Sequence, residues 1–345
     1  MITESLFENI YRGKKGLNRG LSTGFPKLDN VVFGLQRGYF YTIGADQGAG
    51  KSSLALYSFV YQPLKQAILN NLSIHFLYYS FEMSSEVLFA KLLSLHLFEK
   101  YNVIISYDEI LSLKTTISDE HLKLIENEKG WLQLLESKLT VIDKPVNANG
   151  VYATCKEWIK KFGEFREIDE HKEEFIPKDP NQYLIVLVDH IRLLKNDGNV
   201  KSQIDQACDY LIYFRNKCKV TAVVVQQLNR GFKSMARRQD GVYQLVQMDD
   251  FSDSSAPTQS SEVVLALFHP FREKMAKCEQ YNVRELKDRI RLLQVLKNRF
   301  GQSDKNLGLN FFGEVNYWRE LPKPEEINDY EPFKYLIQDT NNFNF

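Results

Sequence analysis

The chain has 345 residues, with 44 Lys plus Arg against 44 Asp plus Glu, and 43% of its residues are hydrophobic. That is enough apolar material for one large or two ordinary globular cores, and the formal charge of zero excludes a grip on polyanions built on the field of the whole molecule. No apolar stretch is long enough for a membrane span, residues 1–5 carry no leader pattern, and Cys155, Cys208, Cys218 and Cys278 lack metal-site spacing, so the sequence reads as a soluble, cytoplasmic protein with reduced thiols and no structural zinc.

In chain order, the first predicted element is a helix over residues 4–12, with Leu6, Ile10 and Tyr11 at helical spacing, closed by Arg12-Gly13-Lys14-Lys15-Gly16. Residues 1–20 read as an arm that either folds back on its own body or grips a neighbour. Residues 21–321 carry an α/β pattern, in which apolar strands predicted at 39–43, 74–80, 139–142, 184–189, 221–226, 263–268 and 292–297 alternate with helical runs. Such continuous apolar strands imply a mostly parallel, twisted sheet covered by helices on both faces. Residues 162–180, with Glu164, Glu167, Asp169, Glu170, Glu173 and Glu174, read as a solvated acidic insertion. Residues 322–345 read as a polar tail outside the core.

The first strand runs into Gly44-Ala45-Asp46-Gln47-Gly48-Ala49-Gly50-Lys51-Ser52-Ser53, a glycine-rich turn opening a helix. This is a phosphate loop. Residues 45–53 form the candidate nucleotide cradle: backbone N–H groups and the helix N-terminus face the phosphates, Lys51 reaches the β/γ oxygens, and Ser52 ligates Mg²⁺. Ala45 stands where the strict pattern has glycine. ATP and Mg²⁺ are therefore the expected ligands. The strand 184–189 ends in Asp189, a second candidate metal carboxylate, and the strand 74–80 leads into Glu82, a candidate base for the attacking water. Gln227, at the tip of the strand 221–226, reads either as a sensor of the γ-phosphate or as an amide capping a loop.

Three segments converge on one family. Ser80-Phe81-Glu82-Met83-Ser84-Ser85-Glu86, Leu187-Val188-Asp189-His190-Ile191-Arg192-Leu193 and Gln227-Leu228-Asn229-Arg230 resemble, in order and in spacing, the motor domain of DnaB-type replicative helicases, a RecA-like P-loop NTPase core. Residues 22–29 also resemble that family's entry into the core. The resemblance implies a ring, usually a hexamer, with ATP between subunits and single-stranded DNA through the centre, moving 5′ to 3′, and it makes a primase or a helicase loader the expected partner. It assigns Lys51 and Ser52 to the phosphates and Mg²⁺, Glu82 to the catalytic base, Asp189 to the metal and Gln227 to the sensor. Lys297 and Arg299 resemble the family's Lys-x-Arg element, whose arginine reaches a neighbour's ATP. Residues 250–255 align with its nucleic-acid loop, but Ser252 and Ser255 replace an arginine and a glycine. The expected DNA contacts are therefore Ser252, Asp253 and Ser255, reinforced by the cations Arg230, Lys233, Arg237 and Arg238, with Lys195 and Lys201 as further candidates; a flexible basic surface is the alternative for these cations. The roughly 20 residues ahead of the core leave no room for a helical collar or a fused primase, which suits a compact replication protein of a phage or other mobile element and an assembly that depends on nucleotide. A RecA-like ATPase that loads or remodels nucleic-acid complexes, and a nucleotide-dependent structural ring, are the competing functions.

Overall fold

The computed structural model describes residues 2–169, 172–196, 198–229, 238–239, 242–243, 245–251 and 253–336. Helix α1 (Ile2–Lys14) precedes the body, and α2 (Pro26–Val32) leads to β1 (Phe40–Ala45). After the phosphate loop, α3 (Lys51–Leu56) passes through a π turn (Tyr57–Tyr61) into α4 (Gln62–Leu69) and β2 (Ile74–Ser80). A helical layer follows, α5 (Ser85–Tyr101), α6 (Tyr107–Ile110), α7 (Asp119–Asn127) and α8 (Lys129–Lys138), then β3 (Leu139–Ile142) and α9 (Ala148–Lys160). The middle of the chain holds β4 (Gly163–Asp169), β5 (Lys172–Pro177), β6 (Tyr183–Asp189), α10 (Val200–Cys218) and β7 (Thr221–Gln227). The last part holds β8 (Arg238–Gln239), β9 (Val242–Tyr243), α11 (Ala256–Ser260), β10 (Val263–Phe268), β11 (Lys277–Cys278), β12 (Tyr281–Asn282), β13 (Ile290–Asn298), β14 (Lys305–Phe312) and β15 (Tyr317–Glu320).

One nine-stranded sheet organises these elements in the order β15-β14-β13-β10-β1-β7-β6-β2-β3. From β10 to β3 neighbouring strands are parallel, whereas β10–β13, β13–β14 and β14–β15 are antiparallel. All seven predicted strands are in this sheet. β1, β6, β7 and β10 are apolar along nearly their whole length because they are buried on both faces: α3, α4 and α5 cover one side, α9 and α10 cover the other side of β6 and β7, and Phe251, Tyr281, Val283 and Leu286 cover that of β10. The parallel direction brings the ends of β1, β2, β6 and β7 to one edge, where α/β sheets collect their ligands.

Two regions differ from the sequence expectation. The acidic insertion is an antiparallel hairpin, β4 with β5, with two faces. Glu164, Glu167 and Glu174 are exposed, but Phe165 and buried Phe175 pack with α9 and α10, and Glu173 is tied to Lys156 and Tyr213. Charge counting hid this because Phe165, Ile168, Phe175 and Ile176 are scattered among the acidic side chains of residues 162–180. The tail is likewise docked as far as Lys334. Tyr330 and Phe333 pack on the cluster around β10 and β13, the Tyr281 hydroxyl donates to the Pro322 carbonyl at 2.9 Å, and Lys334 pairs with Glu285 at 2.7 Å. Polar composition concealed the two rings that hold it.

Candidate nucleotide and nucleic-acid site

The phosphate loop turns sharply because glycine permits it: Gly48 and Gly50 have φ of 71° and 104°, which L side chains avoid. The Ala49 N–H donates to the Asp46 carbonyl at 3.2 Å. Two arginines hold the loop from outside: Arg272 Nη1 donates to the Gln47 carbonyl, and buried Arg291 donates through Nε to the Ala49 carbonyl at 2.7 Å. A β-carbon on Gly48 would sit 2.5 Å from the Arg272 guanidinium. Burial pushes the Arg291 guanidinium down to about 10, with Asp288 opposing.

Lys51, the first residue of α3, is 7% exposed, and its Nζ donates to Glu82 Oε2 at 3.2 Å. Glu82 also accepts from Nε2 of His190, at 3.1 Å from Oε1. The His190 hydrogen bond chiefly holds the Glu82 carboxyl down at about 2, with Lys51 adding to it and burial opposing it. Asp189 ends β6 beside Ser80, its register partner in β2. It is 1% exposed, and Tyr78 donates its hydroxyl to Oδ2 at 2.8 Å. Burial raises the Asp189 carboxyl, while the Ser52 hydroxyl and the Lys51 charge oppose that rise. Its Oδ1 is buried with no hydrogen-bond partner among the described residues, so a desolvated acceptor stands beside Ser52. An orphaned carboxylate oxygen next to a serine hydroxyl, under a loop of backbone N–H groups, fits a hard divalent cation and a polyphosphate. Gln227 ends β7 opposite Ala45 in register, so Lys51, Ser52, Glu82, Asp189 and Gln227 share one edge of the sheet.

Residues 249–251 and 253–255 are fastened to the same edge. The Asn229 N–H donates to the Asp250 carbonyl at 2.7 Å, Leu228 bridges to Phe251, and the Gln226 amide donates to the Ser254 carbonyl at 2.9 Å. The Phe251 ring covers Gly44 in β1 so closely that a β-carbon there would lie 2.3 Å from it. Asp253 pairs with Arg192 at 3.6 Å, and the Ser255 hydroxyl accepts from Gln259 at 3.1 Å. Arg238 opens β8; Arg230, Lys233, Arg237 and Ser252 lie outside the described residues.

Arg299 and Lys297 stand at the other end of the sheet. The Arg299 N–H donates to the Glu262 carbonyl and the Glu262 N–H to the Phe40 carbonyl, both at 2.9 Å, which puts Arg299 level with the first residue of β1. The phosphate loop leaves β1 after Ala45, five residues on, or about 16 Å at the usual rise of a strand. Lys297 donates to the Thr258 and Gln259 carbonyls at 3.0 Å each. Burial, then the Arg299 charge, lowers the Lys297 ammonium, while Glu262 opposes the shift.

A model of the DnaB-like helicase C-terminal domain matches residues 20–320. The chain belongs to this family. It is 22% identical over 298 residues to a probable replicative DNA helicase of Trieres chinensis, covering 83% of this chain and 56% of that one. To the replicative DNA helicase DnaB of Mycoplasma genitalium it is 27% identical over 150 residues, 42% of this chain and 31% of the relative. It thus spans between 31% and 56% of the length of these curated relatives. Among solved structures, an isolated ATPase domain superposes with a TM-score of 0.67 at 19% identity, covering 93% of this chain and 99% of that one. A DnaB-like replicative helicase solved with its interactions with primase gives a TM-score of 0.65 at 19% identity, covering 93% and 67%. The family core is therefore RecA-like, a mostly parallel sheet flanked by helices. No helix among the described residues is long and apolar enough to cross a membrane.

Sequence reasoning missed His190, Tyr78, Arg272, Arg291 and Glu262. His190 had the clearest signal, since it follows the strand-end Asp189 directly. Arg291 and Glu262 had a weaker one, a charge within or just before an apolar strand. Tyr78 and Arg272 had none, because their contacts join segments distant in the chain.

Proposed function

We propose that this domain is the motor of a DNA helicase, hydrolysing ATP between subunits of a ring, a hexamer by family, to move 5′ to 3′ along single-stranded DNA in the cytoplasm. One observation carries the reading: the residues that can hold and attack a triphosphate are at one edge of the sheet, and the cation suited to complete the site is about 16 Å away at the other, by the rise of β1. A guanidinium so placed serves a second copy, not its own.

Phosphates would be held by backbone N–H groups of residues 45–50 and by Lys51, and Mg²⁺ by Ser52 and Asp189. When bound, the metal supplies Lewis-acid polarisation of the phosphoryl oxygens. Lys51 is engaged by Glu82, and moving its ammonium to a phosphate oxygen removes one of the charges that depress the Glu82 carboxyl. Glu82, still held by His190, then has more basicity to orient a water and take its proton. Gln227, on the strand whose end is bonded to Asp250, Phe251 and Ser254, reports the γ-phosphate to the nucleic-acid loop. Arg299 of the adjacent copy neutralises charge on the transferring group. A loader or primase docks on the ring.

The test measures ATP turnover with and without single-stranded DNA, together with unwinding of a forked duplex. Stimulated turnover with unwinding is expected. Stimulation without unwinding indicates the remodelling ATPase, which Ser252 in place of a phosphate-binding arginine favours, and the absence of both overturns the motor reading.

A further inference from the structure

The Arg299 end of the sheet holds a group that none of the motifs accounts for. Glu262 is 5% exposed, a burial that a carboxylate sustains only when paired. Its partners come from three elements. Oε2 accepts from the Phe40 N–H at 2.6 Å, where β1 begins, and Oε1 accepts from Nη1 of Arg215 in α10 at 2.8 Å and from Nη1 of Arg299 at 3.2 Å. The two arginines are unequal. The Arg215 side chain is 15% exposed and is further tied to the Ser260 carbonyl at 3.2 Å. The Arg299 side chain is 48% exposed, and among the described residues its guanidinium has no other hydrogen-bond partner, which leaves Nε and Nη2 unused.

We infer that Glu262 is the positioning residue for Arg299, anchoring one guanidinium nitrogen at the start of β1 so that the remaining donors meet a neighbouring copy's nucleotide in a fixed orientation. The inference rests on the reading of Arg299 as a cation supplied in trans. A guanidinium is a rigid planar fork, so a carboxylate on one nitrogen fixes the plane of the others while leaving them available. The long side chain is thereby ordered before the reaction and not during it. The anchor does not cancel the charge, because Arg215 and Arg299 share a single carboxylate and Lys297 stands beside them. A buried clamp that only secured β1 to α10 would need Arg215 alone.

The test uses the full chain assembled with ATP and DNA. Glu262→Gln keeps an acceptor for Phe40 but loses the anchor, and it lowers kcat about 100-fold while KM for ATP stays within about two-fold. Adding it to Arg299→Ala costs nothing further, since both act through one group. Mixing Glu262→Gln with Lys51→Ala subunits restores turnover, because the Lys51→Ala copies bring intact anchored arginines to sites that are otherwise whole. Glu262→Asp, which keeps the charge one methylene back, retains part of the activity and carries the same tests if Glu262→Gln loses its cooperative thermal melt. Wild-type turnover in either folded Glu262 variant overturns the inference, provided Arg299→Ala is inactive. A loss that Lys51→Ala subunits fail to complement overturns it too. An active Arg299→Ala sinks instead the trans reading on which it rests.

Discussion

The two ends of β1 solve opposite problems. At the phosphate-loop end, polar groups sit at strand ends, in loops and at the start of α3, and some have spare capacity: among the described residues Asp189 Oδ1 has no hydrogen-bond partner, and the Lys51 ammonium donates to partly exposed Glu82. At the other end the carboxylate is saturated, with Glu262 binding two guanidiniums and a backbone N–H. One end is built to receive a ligand, and the other to hold a side chain still. The difference explains why the first is spelled out in contiguous motifs and the second is not.

Substitutions at the two ends should therefore fail differently. The largest effect is expected from Arg299→Ala, which should lower ATP turnover by about 10³ to 10⁵ while leaving binding of a fluorescent ATP analogue intact. Equal activity to wild type in the assembled protein would erase the contrast between the ends. Glu82→Gln comes next, with a loss of about 10² to 10⁴ in kcat. It should also free Lys51 from its carboxylate, so nucleotide affinity measured by titration should hold or rise; a weaker affinity would show that the Lys51–Glu82 pair organises the loop and does not merely occupy it.

Away from both ends, Glu128 in the α7–α8 junction serves as a purely structural reference. Burial alone would raise its carboxyl, but Lys100, Tyr101 and His96, the last stacked on Trp131, overcome this and hold it at about 2. Because the folded value lies below the unfolded one of about 4.3, its stabilisation is complete above that value and is lost as pH falls through about 2. Urea unfolding should show Glu128→Gln about 2 kcal/mol less stable at neutral pH, the gap closing in acid, with kcat per folded molecule unchanged. A gap independent of pH would mean that the interaction is not ionic. The smallest effect is expected from Gly44→Ala, whose β-carbon would meet the Phe251 ring at 2.3 Å; a cost of about 1 kcal/mol in the same assay is anticipated because that ring belongs to a loop.

Much of the fold was legible because strands buried within the sheet leave short apolar runs, which the intervening turn residues and β-branched side chains mark as strands. The seven predicted strands follow from that, and the shared edge of Glu82, Asp189 and Gln227 follows from the parallel pairing of β1, β7, β6 and β2. Strands β14 and β15 escaped notice. Lys305–Phe312 carries Asn306, Gly308 and Asn310, whose polarity is absorbed by the edge of the sheet and by the docked segment at Phe333. The Glu262 cluster was illegible for another reason: it joins residues 40, 215, 262 and 299, and no local pattern records a meeting of four distant segments. His190 lay within a quoted motif, yet its contact with Glu82 depends on β2 and β6 lying side by side.

The closeness of Phe251 to Gly44 ties two positions that alignment would treat as independent. An aromatic ring at one packs without displacement because the other has no side chain, so the pair shares a limited volume in the space between the central strand and the loop. Across lineages these sites should tend to change in concert, an added methyl at the strand accompanying a lighter residue on the loop, and a graft of this loop onto a relative would keep its packing unstrained if both members travelled together.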